Sequence, residues 1–139
     1  MNKTFTLERF MTRHPHSIRF DEKLKTAEEL MAKLHVRHLP VLNGGKLVGV
    51  LSDRDVRLVG AAGGKELRVD DACVDEPYSV DVDTSLWIVA DTMAKKRIGS
   101  TLVLEDGKVV GIFTVTDACR ALAEMLTDGN AGETLARTS

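Results

Sequence analysis

The chain has 139 residues, 43% of them hydrophobic, and a formal net charge of −2 from 19 basic and 21 acidic side chains. That is enough for one compact core and too evenly mixed for a nucleic-acid-binding field or a like-charged interaction tail. The N-terminal MNKTFTLERF has no signal-like apolar stretch, no apolar run approaches the ~18 residues that span a bilayer, and Cys73 and Cys119 lack CxxC spacing, so a cytoplasmic protein without zinc or disulfides is expected.

Thr6 followed by Leu7 to Met11 reads as a short helix, and His14-Pro15 predicts extended backbone, because a proline disfavours the helical region for the residue before it. A brief strand over 17–20 comes next. From Asp21 the apolar period turns helical: Leu24, Ala27, Met31 and Leu34 share one face, with Glu22, Lys25, Glu28, Glu29 and Lys33 on the other. This helix ends near His35. Residues 38–42 read as a strand, Asn43-Gly44-Gly45 as a hairpin turn, 46–51 as the returning strand and Ser52 as the start of a second helix. Gly60, Gly63 and Gly64 then open a link.

The same order recurs. Asp83-Thr84-Ser85 is placed to cap a helix carrying Leu86, Val89, Ala90 and Met93, Glu105-Asp106-Gly107 turns a hairpin between 101–104 and 108–113, and a closing helix covers 116–126. One shift of 62 residues, from Gly49 to Gly111, also pairs Met11 with Cys73, Pro15 with Pro77, Ser17 with Ser79, Asp21 with Asp83 and Met31-Ala32-Lys33 with Met93-Ala94-Lys95. A fixed offset held over most of the chain marks a duplicated unit, at 6–64 and 65–126, longer than the ~20–50 residues of solenoid repeats. Each half is marginal in size, so the two are expected to share a core. Residues 127–139 are small and polar without an apolar period and read as a disordered tail.

Two stretches carry the chemistry. HLPVLNGGKLVGVLSDRD ends in Ser52-Asp53-Arg54-Asp55, and STLVLEDGKVVGIFTVTD ends in Thr114-Val115-Thr116-Asp117. Each puts a hydroxyl and a carboxylate where a strand gives way to a helix. A hydroxyl beside orphan helix N–H donors is a seat for phosphate, and an ionised carboxylate one turn on has two acceptor oxygens for a ribose cis-diol. The same spacing is also a capping box that needs no ligand. The residues alone leave both readings open. Together with the LxxAxxxM helix of Leu24, Ala27 and Met31, the duplicated stretch resembles a tandem pair of CBS domains, the module first named for cystathionine β-synthase. The likeness covers about 6–126 and departs where Thr101-Leu102 stand in place of Leu39-Pro40.

The resemblance implies an α/β fold in which two βαββα repeats pack through their sheets about a pseudo-twofold, leaving two clefts. It further implies a non-catalytic regulatory module that senses an adenosine-containing nucleotide (AMP, ADP, ATP, NAD or S-adenosylmethionine) and signals to a partner protein. Thr84, Val89, Ile98 and Gly99 are then the base wall beside Thr114 and Asp117, with Arg37 and His38 reaching the phosphates from the other copy. Ser52, Arg54 and Asp55 form the second site, with Glu22, Ala27, Val36 and Arg37 as its wall and Gly99 and Ser100 crossing to it. Because Glu22 occupies the place of Thr84 and the Asp55 cleft lacks the crossing arginine, the Asp117 cleft is expected to bind more tightly. A homodimer through the repeat helices is also implied, with Leu30, Leu34, Trp87, Leu122 and Met125 as candidate contacts. The alternatives are a purely structural, dimerising pair whose SxxD and TxxD segments are only caps, and a nucleotide-processing enzyme, for which no nucleophile and base are in register. The four histidines show no zinc spacing, so neither a metal nor a catalytic cofactor is expected.

Overall fold

The computed structural model describes residues 5–62 and 66–129. Helix α1 (Leu7–Phe10) is capped by Thr6, whose hydroxyl oxygen accepts from the Arg9 N–H at 3.2 Å, and it leads into a two-residue strand, β1 (Thr12–Arg13). There follow β2 (Ile18–Arg19), α2 (Leu24–Leu34), the hairpin β3 (His38–Asn43) and β4 (Lys46–Ser52), and α3 (Asp53–Ala62). The second half runs β5 (Val74–Asp75), β6 (Ser79–Asp81), α4 (Leu86–Lys96), β7 (Ser100–Glu105), β8 (Lys108–Thr114) and α5 (Val115–Gly129). The α/β duplication expected from the sequence is present, with β1, β5 and a 3-10 turn at Val69–Asp71 added to it.

Local chemistry explains the boundaries. Leu24, Ala27 and Met31 recur at helical spacing and are all buried, as are Leu86, Val89 and Met93 in the second copy. Both helices stop where the backbone turns left-handed, at His35 (φ 57°) and Arg97 (φ 56°). The following N–H groups, of Val36 and Ile98, then close back on the carbonyls of Met31 and Met93 and satisfy helix ends that would otherwise lack donors. The two hairpins turn on Gly44-Gly45 and Asp106-Gly107, all at positive φ, the backbone a two-residue hairpin demands.

The four-stranded sheets run β2-β3-β4-β5 and β1-β8-β7-β6. Each is therefore finished by a strand from the segment that precedes the other copy. β5 lies antiparallel to β4 through Gly49–Asp75 and Val50–Val74, and β1 lies antiparallel to β8 through Thr12–Ile112 and Arg13–Gly111. The cores cross in the same way. Val69 and Ala72 pack with Leu24, Ala27, Met31 and Leu51, while Leu7, Phe10 and Met11 pack with Val89, Met93, Val103 and Phe113. Gly49 and Gly111, on which the repeat aligns, sit where these strands pass over. A Cβ on Gly49 would lie 2.8 Å from the Val74 carbonyl oxygen and 3.0 Å from the Cys73 sulfur, and one on Gly111 would meet the Met11 thioether.

Several expectations need correction. His14 is not extended but left-handed (φ 48°), held there by its N–H donating to the Val110 carbonyl at 3.0 Å. Gly60 lies inside α3, and Gly63 and Gly64 fall outside the described residues. Ser85 is the α4 N-cap but makes no side-chain cap bond; the Asp81 carboxylate instead accepts from the Asp83 N–H at 3.0 Å. α5 continues through Gly129, so residues 127–129 are helical rather than tail, and 130–139 lie outside the described residues. None of the described helices is long and apolar enough to cross a membrane.

Gly49→Ala tests the strand crossing. The new methyl meets a backbone carbonyl, which cannot yield without breaking the β4–β5 pairing, so a loss of about 1–3 kcal/mol is expected from overpacking. The urea midpoint should fall accordingly, and an unchanged midpoint would mean that β5 does not seat there.

Candidate functional site

β4 and β8 approach each other where the two halves meet, and a cleft opens on either side. The larger, of about 1030 Å³, runs from the β4–α3 junction to the second copy's wall. Ser52, Asp53, Arg54 and Asp55 form one side, and Pro77, Tyr78, Lys96, Arg97, Ile98 and Gly99 the other. Ser52 Oγ accepts from the Asp55 N–H at 3.1 Å, half of a capping box. The other half is missing: the Asp55 carboxylate makes no hydrogen bond or ion pair with the described residues, while Asp53 beside it pairs with Arg57 at 3.1 Å. Asp55 thus offers open acceptor oxygens at the N-terminus of a ten-residue helix.

The second cleft, of about 640 Å³, is built around Thr114, Asp117 and Arg120. Here the box is closed. Asp117 is 3% exposed; its Oδ2 accepts from Thr114 N–H at 2.9 Å and from Thr114 Oγ1 at 3.1 Å, and its Oδ1 accepts from Arg120 at 2.7 Å. Thr114 Oγ1 accepts in turn from the Asp117 N–H at 3.4 Å, and Arg120 also donates to the Phe10 carbonyl at 3.1 Å. Both oxygens of Asp117 are spent inside the protein. The capping reading describes Asp117, and the ligand reading has room at Asp55.

The expected walls are assigned differently from the resemblance. Ser52, Arg54 and Asp55 share the larger cleft with Gly99 and Ser100, as expected, but Ile98 lines it too and does not stand beside Asp117. Gly99 and His38 line both clefts, and Arg37 and His38 do reach the Asp117 cleft. Val89 is fully buried on the inner face of α4, the place its helical spacing with Leu86 and Met93 dictates. Thr84 lies in a separate apolar cavity of about 820 Å³ beside Trp87, Leu122 and Met125. Glu22 and Ala27 line neither cleft; the Glu22 carbonyl accepts from the Val69 N–H and Ala27 is in the first core. Of the two grounds for ranking the Asp117 cleft first, Thr84 and Glu22 line neither cleft, whereas the crossing Arg37 does line the Asp117 cleft.

Residues that the sequence reading passed over complete the walls. Pro77 and Tyr78 face Asp55, and His14, Pro15, His16 and His35 face Asp117. One sequence signal pointed there, the Pro15–Pro77 pair of the repeat; the structure adds that the non-glycine residues at positive φ gather at these walls. Among the described residues these are His14, His35, Glu76, Arg97 and the hairpin's Asp106, and all but Asp106 line one of the two clefts. No group of three or more His, Cys, Asp or Glu among the described residues is arranged to hold a metal.

Known proteins are similar in sequence and fold. A family model for the CBS domain matches residues 7–61 and 69–124. YlbB of Bacillus subtilis is 34% identical over 113 residues, 78% of this chain and 74% of its own, and hypoxic response protein 1 of Mycobacterium tuberculosis is 29% identical over 107 residues, 74% of this chain and 75% of its own. The inosine-5'-monophosphate dehydrogenase of Bifidobacterium longum matches at 28% over 113 residues, and there this chain spans only 20% of the relative. Among solved structures, AcuB from Vibrio cholerae superposes with TM-score 0.81 at 28% identity, covering 95% of this chain and all of the other. CBSX2 in complex with AMP superposes with TM-score 0.74 at 27% identity, covering 88% of this chain and 98% of that one.

His38 links the two clefts electrostatically. Its ring lies over Gly99, where a Cβ would come within 3.1 Å of Nε2. Burial holds its pKa below the ordinary histidine value, against the pull of the Asp53 and Asp55 carboxylates, with Arg37 adding to the depression. The folded protein thus favours neutral imidazole, and the unfolded chain takes up the proton first. The stability this represents is complete above about pH 6.5 and is lost as pH falls through the lower, folded value. Urea unfolding at pH 7.5 and 5.5 should show a larger loss for the wild type than for His38→Gln. Equal losses would remove His38 as the source.

Proposed function

The chain belongs to the CBS domain family, carrying the domain twice, and we propose on that footing that it is a regulatory module binding an adenosine nucleotide in the Asp55 cleft. The observation that carries this reading is the unengaged Asp55 carboxylate, facing a cleft of about 1030 Å³, within the usual size of small-molecule sites or slightly above it. Asp55 holds the ribose hydroxyls, since a carboxylate with free lone pairs accepts both hydrogen bonds of a cis-diol. Arg54, Lys96 and Arg97 line the same cleft and supply cations for phosphate. Ile98, Pro77 and Tyr78 supply apolar surface for the base, with Lys96 lying 5.2 Å from the Tyr78 ring centroid. The AMP complex of CBSX2, 27% identical to this chain, supports adenosine as the common element. The match to YlbB and to hypoxic response protein 1, over about three quarters of each, supports a CBS pair that signals to a partner protein.

AMP titration by calorimetry tests the assignment. Asp55→Ala should weaken binding about tenfold to a hundredfold, the worth of hydrogen bonds to a charged group at about 1.5–3 kcal/mol, while Asp117→Asn leaves AMP affinity unchanged. In a thermal-shift panel of AMP, ADP, ATP, NAD and S-adenosylmethionine, the true ligand at about 100 times its Kd stabilises by about 2.7 kcal/mol. If none does, both segments are caps only and the structural alternative stands.

The same reading includes a homodimer, through a narrower face than the sequence suggested. Leu30 packs against the first core and Leu34 is half-buried, so both offer less open surface than the residues of α4 and α5. Trp87 is 70% exposed, Leu122 55% and Met125 41%, joined by Ile88 and Leu126, an apolar area on α4 and α5 of the kind that marks an interface. Light scattering at tens of micromolar protein should read two chains for the wild type and one for Trp87→Glu. A monomeric wild type would count against the dimer.

A further inference from the structure

The first repeat brings every histidine of the chain to one place. His14, His16, His35 and His38 are the four in 139 residues, and all line the Asp117 cleft, whose lining is about an eighth of the chain. The duplication supplies its own control. Shifted by 62, the same four positions are Glu76, Tyr78, Arg97 and Ser100, and all four line the Asp55 cleft. The backbone is alike in both walls, left-handed at His14 and Glu76 (φ 48° and 50°) and at His35 and Arg97 (57° and 56°). The fold therefore requires imidazole at none of these positions. One cleft has it at all four.

Cations surround the imidazoles on every side. Arg13 comes from β1, Arg37 from the α2–β3 link and Arg120 from α5. Arg120 is held by Asp117 at 2.7 Å and Arg13 lies 3.3 Å from Glu8 of α1, while Arg37 forms no ion pair with the described residues. Asp117 is the single carboxylate of the lining, so three arginines against it leave +2 with neutral imidazoles and +6 with all four protonated. Of the four, His38 also faces Asp53 and Asp55 from its other side; His14, His16 and His35 are exposed.

We propose that the Asp117 cleft is a proton-linked site for condensed phosphate, taken without base or ribose and held more tightly as pH falls. Imidazolium and guanidinium groups are both donors to phosphoryl oxygens, and imidazole is the side chain whose charge changes between pH 5 and 8. The ribose clamp has little open surface here, because Asp117 is 3% exposed and accepts three hydrogen bonds inside the protein. The proposal is independent of the adenosine reading, which concerns the other cleft.

The test is calorimetric titration of the full chain with trimetaphosphate, whose own charge is constant between pH 5.5 and 8. Affinity should rise about fivefold or more from pH 8 to 5.5, a one-unit change in the pKa of a single imidazole being worth at most tenfold. Proton uptake should appear as an enthalpy that depends on the buffer. The triple variant His14→Asn, His16→Gln, His35→Asn should lose the rise between pH 8 and 5.5. Its substitutions are exposed, and asparagine tolerates the left-handed backbone at 14 and 35, so folding is preserved. Excess adenosine should leave the titration unchanged. An affinity independent of pH, an equal pH dependence in the triple variant, no binding at pH 5.5, or displacement by adenosine would each overturn the proposal.

Discussion

The crossing of two short strands is the constraint on which the rest depends. β1 and β5 contribute two residues each, yet each seals the edge of the sheet built by the other copy, and an unsealed edge is a row of unpaired donors and acceptors. The crossing carries Leu7, Phe10 and Met11 into one core and Val69 and Ala72 into the other. It also carries the residues just after each crossing strand, His14-Pro15-His16 and Glu76-Pro77-Tyr78, onto the wall opposite the other repeat's helix N-terminus. The clefts are a by-product of how the sheets are closed.

Duplication then left two clefts of one backbone to diverge in side chains. At one helix start the serine–aspartate box is half made and the carboxylate faces outward; at the other the threonine–aspartate box is fully made and locked by Arg120. A charge-assisted hydrogen bond to a partly buried carboxylate is worth more than an exposed one, so Arg120 gives the second helix a firmer start and takes its aspartate out of ligand chemistry. The two TxxD-type segments look alike as letters. They differ in context: position 120 is arginine and bonds Asp117, while its counterpart, 58, is leucine, 60% exposed.

Much of this was legible in the sequence. The fixed offset, the helical spacing of Leu24, Ala27 and Met31, and the hairpin turns each rest on local physics, and local physics is what a sequence displays. The crossing strands were not legible, since two residues are too few to show an alternating pattern. Without them the pairing of walls with carboxylates goes astray, which is how Ile98 was set beside Asp117. Val89 is a different kind of miss: its own periodicity with Leu86 and Met93 marks it as core, and the resemblance outweighed a reading that the residues had already made. His14 and Arg97 show a third limit, since a left-handed backbone at a non-glycine residue is imposed by tertiary contacts and leaves no mark in composition.

The pseudo-symmetry of the finished molecule conceals an asymmetry in time. Val50 pairs with Val74, 24 positions on, whereas Thr12 pairs with Ile112, 100 positions on. The added loop-closure entropy is small, because it grows only logarithmically with length, but pairings so distant in sequence are slow to find. During synthesis the first sheet has all its strands once residue 75 is made. The segment of β1 must wait, its Phe10 and Met11 uncovered, until β8 is made.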